Sequence, residues 1–116
     1  MVVETVEEQQ ADQLFHALAD ATRRDILERA MHIEYSVSAL ARCYPMSFAA
    51  VQKHVAVLER AGLVTKERRG REQLVRSNID TVRAAHGLLD QFEAAWRSRL
   101  DRVGEILAEL SEGATP

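Results

Sequence analysis

Within the stretch SFAAVQKHVAVLERAGLV, Ser47 to Val64, several side chains could do one kind of recognition chemistry. Gln52 carries an amide that can pair with the edge of an adenine. Lys53 can reach a guanine or a phosphate, and Ala49 can touch a thymine methyl. Phe48 suits either that outward position or an interface between helices. Such groups can enter the major groove of duplex DNA only if one rigid element holds them on a single side. The same stretch supplies that element. Val51, Val55 and Leu58 recur at spacings of four and three, the buried stripe of a helix, so Phe48, Ala49, Gln52 and Lys53 must face away. Ser47 is a good N-cap directly after Pro45-Met46, where the chain has to turn. Ala61-Gly62 ends the helix with the residue that accepts a left-handed conformation, and Leu63-Val64 opens an extended run.

The preceding chain is organised to carry this helix. Gln10 to Leu18 reads as a helix with Leu14, Phe15 and Leu18 on one side, led in by frayed acidic residues. Asp20 caps a second helix, Ala21 to about Ala30, that turns Ile26, Leu27 and Ala30 inward. Met31 to Tyr35 shows no helical period and reads as a loop or short strand. Ser36 then caps a brief helix with Val37, Leu40 and Ala41 as its buried set, and Cys43-Tyr44-Pro45-Met46 turns into the helix described first. Two short helices joined by about four residues, the second exposing a readable face, make a helix-turn-helix.

After Gly62 the pattern becomes extended. Leu63–Arg68 and Glu72–Arg76 are β-forming runs around Arg69-Gly70-Arg71, where Gly70 supplies the positive φ of a tight hairpin. The hairpin bears Lys66, Arg68, Arg69, Arg71 and Arg76, with only Glu67 and Glu72 opposing them within it. A wing of this kind can lie along phosphates or dip into a minor groove.

From Ile79 to about Leu110 the chain is helical again. Val82, Leu89, Trp96, Val103 and Leu110 recur every seven residues, Ala85, Phe92 and Ile106 fill a second row, and Arg99 alone breaks it. Such a helix would run roughly 45–50 Å, longer than a small winged domain can cover. A second subunit is the simplest cover for its apolar face, which predicts a homodimer. In the alternative, a break near Gly87 gives two helices, one folding back on Leu14 and Phe15. Either way the two terminal helices form the expected assembly surface, with Leu14, Phe15, Leu89, Phe92, Trp96 and Val103 as its residues and Ser111–Pro116 as a loose tail.

Composition bounds the reading. The 116 residues suffice for one domain, with about 12–78 as the nucleic-acid-binding core and about 79–110 plus the first helix for assembly. No apolar run can span a bilayer, the acidic start argues against a signal peptide, and the lone Cys43 allows no internal disulfide, so a cytoplasmic protein is expected. The net charge of −3 conceals segregation: residues 21–76 hold eleven Lys/Arg against six acids, while five acids and no Lys/Arg precede them and seven acids against four Lys/Arg follow. A basic middle between acidic ends suits a DNA-reading core with separate assembly helices.

The words LFHALADATRRDIL and SVSALARCYPMSFAAVQKHVAVLERAGLVTKERRGREQLVRSN resemble the ArsR/SmtB family of bacterial winged helix-turn-helix repressors over roughly residues 12–80. Ala21 stands where such proteins often have Pro. The resemblance implies a mainly α fold with a small β-hairpin, a long C-terminal dimerisation helix, and a dimer that binds an inverted-repeat operator until an effector releases it. It carries the DNA-facing positions at the start of the recognition helix over to Ser47, Phe48, Ala49, Gln52, Lys53 and His54; on the wing, the charge of the hairpin itself points to Arg68, Arg69 and Arg71.

Metal sensing is not expected. The family's Cys-Val-Cys word falls here on Ser36 and Ser38, whose hydroxyls are poor ligands for soft cations, and the last helix holds only His86. A site shared between subunits, such as His16 with His86, stays open as an alternative, as does a redox switch that would pair Cys43 with its counterpart. No cofactor or effector is legible. Enzymatic function is not expected, since the chain has no Gly-rich phosphate loop and no nucleophile elbow. The rival reading is a winged helix for protein recognition, with the basic middle meeting an acidic partner.

Overall fold

The computed structural model describes residues 6–113. Two compact units divide between Ala85 and His86. The first contains α1 (Val6–Leu18), α2 (Ala21–His32), β1 (Tyr35–Ser36), α3 (Val37–Ala41), α4 (Phe48–Arg60), β2 (Val64–Arg69) and β3 (Glu72–Ser77), and α5 (Ile79–Gly113) begins within it.

Caps set three of these helices. The Asp20 carboxylate accepts from the Arg23 amide, Ser36 Oγ from that of Ala39 and Ser47 Oγ from that of Ala50, at 3.0, 3.0 and 3.1 Å. Each satisfies a donor that the first helical turn leaves open. The side chain of Arg23 works in the opposite direction. Its Nε and NH2 donate to the carbonyls of Ala17 and His16 at 2.8 and 2.9 Å, and Arg24 donates to that of Leu18 at 2.6 Å. Two successive arginines thus close the C-terminus of α1 while their own helix begins.

Several boundaries differ from the sequence expectation. Helix α1 starts at Val6 rather than Gln10, so part of the expected acidic lead-in is helical; Glu4 lies outside the described residues. Helix α2 runs on through Met31 and His32, which were expected in the loop, before Ile33 leaves it in an extended conformation. The short strand is β1, and it makes the wing three-stranded. The order is β1-β3-β2, with Tyr35 opposite Val75 and Ser36 opposite Leu74. Gly62 and Gly70 take positive φ of 77° and 60°, at the end of α4 and in the hairpin turn.

The core draws on every element of the first unit. Ile26, Leu40, Val51, Val55, Leu58, Leu63, Val64 and Val75 are almost wholly buried, and Ala85 joins them from the start of α5. The polar junctions are local. Asn78 returns its amide to the Leu63 carbonyl at 2.8 Å, and Ser77 Oγ donates to that of Leu27 at 2.9 Å, which ties the root of the wing to α2.

Helix α5 passes through Gly87 unbroken, so the alternative of two helices is set aside, and its last turn reaches Gly113 where a loose tail was expected. At 35 residues it is about 52 Å long. From Leu89 onward its large apolar residues remain outside: Leu89, Phe92, Trp96, Val103, Ile106 and Leu110 are all exposed, Phe92 by 73%. Leu100 and Leu107 are exposed as well. With Trp96, Val103 and Leu110 they make a stripe at alternating four- and three-residue spacings, which the seven-residue rows alone overlook. No helix among the described residues is long and apolar enough to cross a membrane.

Candidate nucleic-acid interface

Helix α4 divides its residues as the spacing predicts. Val51, Val55 and Leu58 are sealed inside, while Ser47, Phe48, Ala49, Gln52 and Lys53 are exposed. Phe48, at 46% exposure, does not close a helix–helix interface. It stands with Gln52 on one side of a hollow of about 280 Å3, and Arg68 and Arg71 of the wing stand on the other. Ser38 of α3 and Gln73 of β3 line the same hollow, as does Glu72. The helix face and two wing arginines therefore converge, as a surface that grips a groove and its flanking phosphates requires.

Not every residue named from sequence converges there. Ser47 spends its hydroxyl on the cap of α4. His54 turns to the opposite side: its Nδ1 lies 3.4 Å from Arg23 NH1 and 3.8 Å from an Asp20 oxygen. Hydrogen bonding to the Arg23 amide, with smaller contributions from the charges of His54 and Arg23, holds the Asp20 carboxyl below its usual range. His54 thus connects α4 to the α1–α2 corner instead of facing outward. Arg69 lies between carboxylates, 3.9 Å from Glu34 and 3.8 Å from Glu67, and Arg76 meets the same two at 3.0 and 3.3 Å. Lys66 is 3.5 Å from Glu59. The wing is therefore opposed by Glu34, just before β1, and Glu59 of α4, besides the two acids within it. Arg68 reaches only the Gly70 carbonyl, at 3.4 Å, and Arg71 has no ion pair among the described residues. These two carry the wing's uncompensated charge.

Ser38 and Gln73 escaped the sequence reading for different reasons. Ser38 sits next to the first buried residue of α3 and looks like any surface serine. Gln73 is placed by strand register, opposite Arg68, which only the folded hairpin defines. Of the expected assembly residues, Leu14 needs correction. At 5% exposure it belongs to the chain's own core, packed where α1 meets the other helices, rather than to an exposed assembly surface. Phe15 is exposed, and so are Leu89, Phe92, Trp96 and Val103 in the second unit.

The turn before α4 is held by a polar cluster. Tyr44 Oη donates to Asp25 at 2.5 Å, and Arg29 Nε donates to the same carboxylate oxygen at 2.8 Å. The guanidinium also lies 5.6 Å from the centre of the Tyr44 ring and 3.6 Å from Cys43 Sγ. The Tyr44 hydroxyl, then Arg29, keep the Asp25 carboxyl below the ordinary range; burial, then Asp25, push the Tyr44 phenol well above its own. Among the described residues no group of three or more His, Cys, Asp or Glu is placed to hold a metal ion.

The same arrangement recurs in proteins of known class. The HTH-type transcriptional regulator Rv2034 of Mycobacterium tuberculosis is 38% identical over 96 residues, which cover 83% of this chain and 87% of that protein. An ArsR-like transcriptional regulator from Rhodococcus sp. RHA1 matches with a TM-score of 0.75 and 32% identity over 84% of this chain and 92% of its own. The chain belongs to the ArsR family of transcriptional regulators. A further ArsR-type neighbour is the homodimeric winged helix-turn-helix DNA-binding domain of a possible regulator from Mycobacterium bovis, at TM-score 0.62 and 26% identity, covering 82% of this chain and 91% of that one. No protein-family model matches the sequence.

Proposed function

We propose that this ArsR-family regulator is a homodimeric repressor whose two recognition helices read an inverted repeat with half-sites about one helical turn apart. The observation that carries the reading is the convergence of Phe48 and Gln52 with Arg68 and Arg71 around one hollow. Gln52 and Lys53 read base edges, and Ala49 offers a methyl-sized contact. Arg68 and Arg71 hold the flanking phosphates. Arg69 contributes less than either, because Glu34 and Glu67 already neutralise it. Ser47 acts through the cap that starts α4, and His54 acts through Arg23 rather than on the bases.

Two copies pair through the stripe of α5 around Trp96, Leu100, Val103 and Leu107. Left in water, so long an apolar stripe is a liability that a second copy removes. The homodimeric state of the M. bovis neighbour supports this pairing.

The test is footprinting on DNA upstream of the protein's own gene, followed by affinity measurements on the protected fragment across a range of salt. The expected result is a two-fold symmetric footprint and affinity that falls linearly in log salt with a slope reflecting several phosphates. A module for protein partners would give neither a footprint nor a slope, and that outcome would refute the proposal.

A further inference from the structure

At the C-terminal end of α4, away from the hollow shared with the wing, Gln13, Arg60 and Ala61 each line two further hollows. One, of about 160 Å3, is completed by His16 and Val57. The other, of about 360 Å3, extends past Gln10 and Leu14 to Gly62 and the first turn of α5. We propose that this cleft binds a small organic carboxylate with an apolar body, and that its occupancy lowers affinity for DNA. The second clause rests on the function proposed above; the first does not.

The chemistry of the walls selects the ligand. Arg60 donates one long hydrogen bond, 3.4 Å, to the Ala56 carbonyl and has no ion pair among the described residues. Its neighbour Glu59 is engaged by Lys66. A planar guanidinium with free donors matches a carboxylate in two-pronged fashion. The side-chain amides of Gln10 and Gln13 make no hydrogen bond among the described residues and can complete the head-group shell. Val57, Ala61 and Ala84 supply apolar wall for the ligand's body. Asp80, on the rim, lies 3.6 Å from Arg83, which offsets its repulsion of an anion. The volumes suit a ligand of benzoate size, at the small end of ordinary binding pockets.

Position supplies the consequence. Arg60, Ala61 and Gly62 lead from α4 towards β2, and the cleft sets them against α1 and the start of α5. A ligand wedged there changes the setting of α4 against its supports and hence the alignment of its outer face with the wing. Gly62, at a φ of 77°, is the left-handed stop through which α4 passes into β2.

The experiment is equilibrium dialysis of the full chain against benzoate and hexanoate, with benzamide as the uncharged control. The expected result is saturable binding of one carboxylate per chain, weakened roughly tenfold or more by Arg60→Gln, less by Arg60→Lys, and unchanged by Lys53→Ala. Absence of saturable binding for both acids at millimolar concentration would overturn the site. So would equal uptake of benzamide, or Arg60→Gln binding as well as the parent, with circular dichroism verifying that the variant is folded. In a second arm, benzoate lowers affinity for the footprinted fragment several-fold in the parent and not in Arg60→Gln. Unchanged DNA affinity with benzoate bound overturns the regulatory clause. Because dialysis requires no DNA, failure of the DNA-binding reading and failure of the site are separately visible.

Discussion

Helices α4 and α5 both carry a regular apolar stripe, and the fold treats the two stripes oppositely. That of α4 is consumed by the core, which leaves amide, amine and small side chains outside. That of α5 is used only at its first turns, where Ala85 is buried; from Leu89 onward it stays exposed, Trp96 by 55%. A period of three and four residues therefore says only that a helix has two sides. The chemistry of the side left in solvent says what it awaits: polar and cationic groups suit nucleic acid, an apolar stripe suits protein.

The sharpest way to break this contrast is to place a charge in the stripe. Trp96→Asp is expected to convert the proposed dimer to monomers in sedimentation velocity, and to cost at least a hundredfold in operator affinity because two linked half-sites become independent. A parent-like sedimentation profile would end the assignment of α5 to pairing. On the other helix, Lys53→Ala should weaken operator binding about tenfold and relax sequence preference while leaving the dimer intact. Loss of dimer in that variant would show that the two faces are not separable.

The wing permits a finer comparison. Arg71→Ala should reduce the salt slope by about one and weaken binding to all sequences alike. Arg69→Ala should do measurably less, because Glu34 and Glu67 already hold that guanidinium. Equal effects would mean that the carboxylates release Arg69 on DNA.

The smallest expected effect is on stability. Tyr44→Phe removes the hydroxyl that donates to Asp25 and should cost about 1 kcal/mol in urea unfolding at neutral pH, with operator affinity nearly unchanged. The pH dependence has a definite sign. Asp25 is lowered in the fold, so its contribution is complete above the unfolded aspartate value of about 3.9 and disappears as pH falls through the lower folded value. Below that range Tyr44→Phe and its parent should converge; a gap that stays constant into acid would contradict the assigned cause.

Much of the first unit was legible because its signals are local. The caps Asp20, Ser36 and Ser47, the stop at Gly62, the hairpin at Gly70 and the buried triplet of α4 all depend on residues a few positions apart. Of the hollow proposed to meet DNA, Phe48, Gln52, Arg68 and Arg71 could be named from composition and spacing. His54 could not be assigned that way, since its direction depends on Arg23, thirty-one positions earlier. Leu14 and Phe15 are adjacent in an amphipathic helix, and only packing decides that the first is core and the second surface.

The order of residues by itself determined where helices begin, where the chain turns, and which side of α4 carries groups able to read DNA. Those outcomes follow from backbone hydrogen bonding and side-chain period within one or two turns. Tertiary structure alone decided that β1 joins the wing, that Glu34 quenches Arg69 and Arg76 while Arg68 and Arg71 stay available, and that a cleft forms behind Arg60. Each of these depends on segments distant in sequence coming within a few ångströms, and Coulombic and packing energies change too steeply over that distance for any local pattern to encode them.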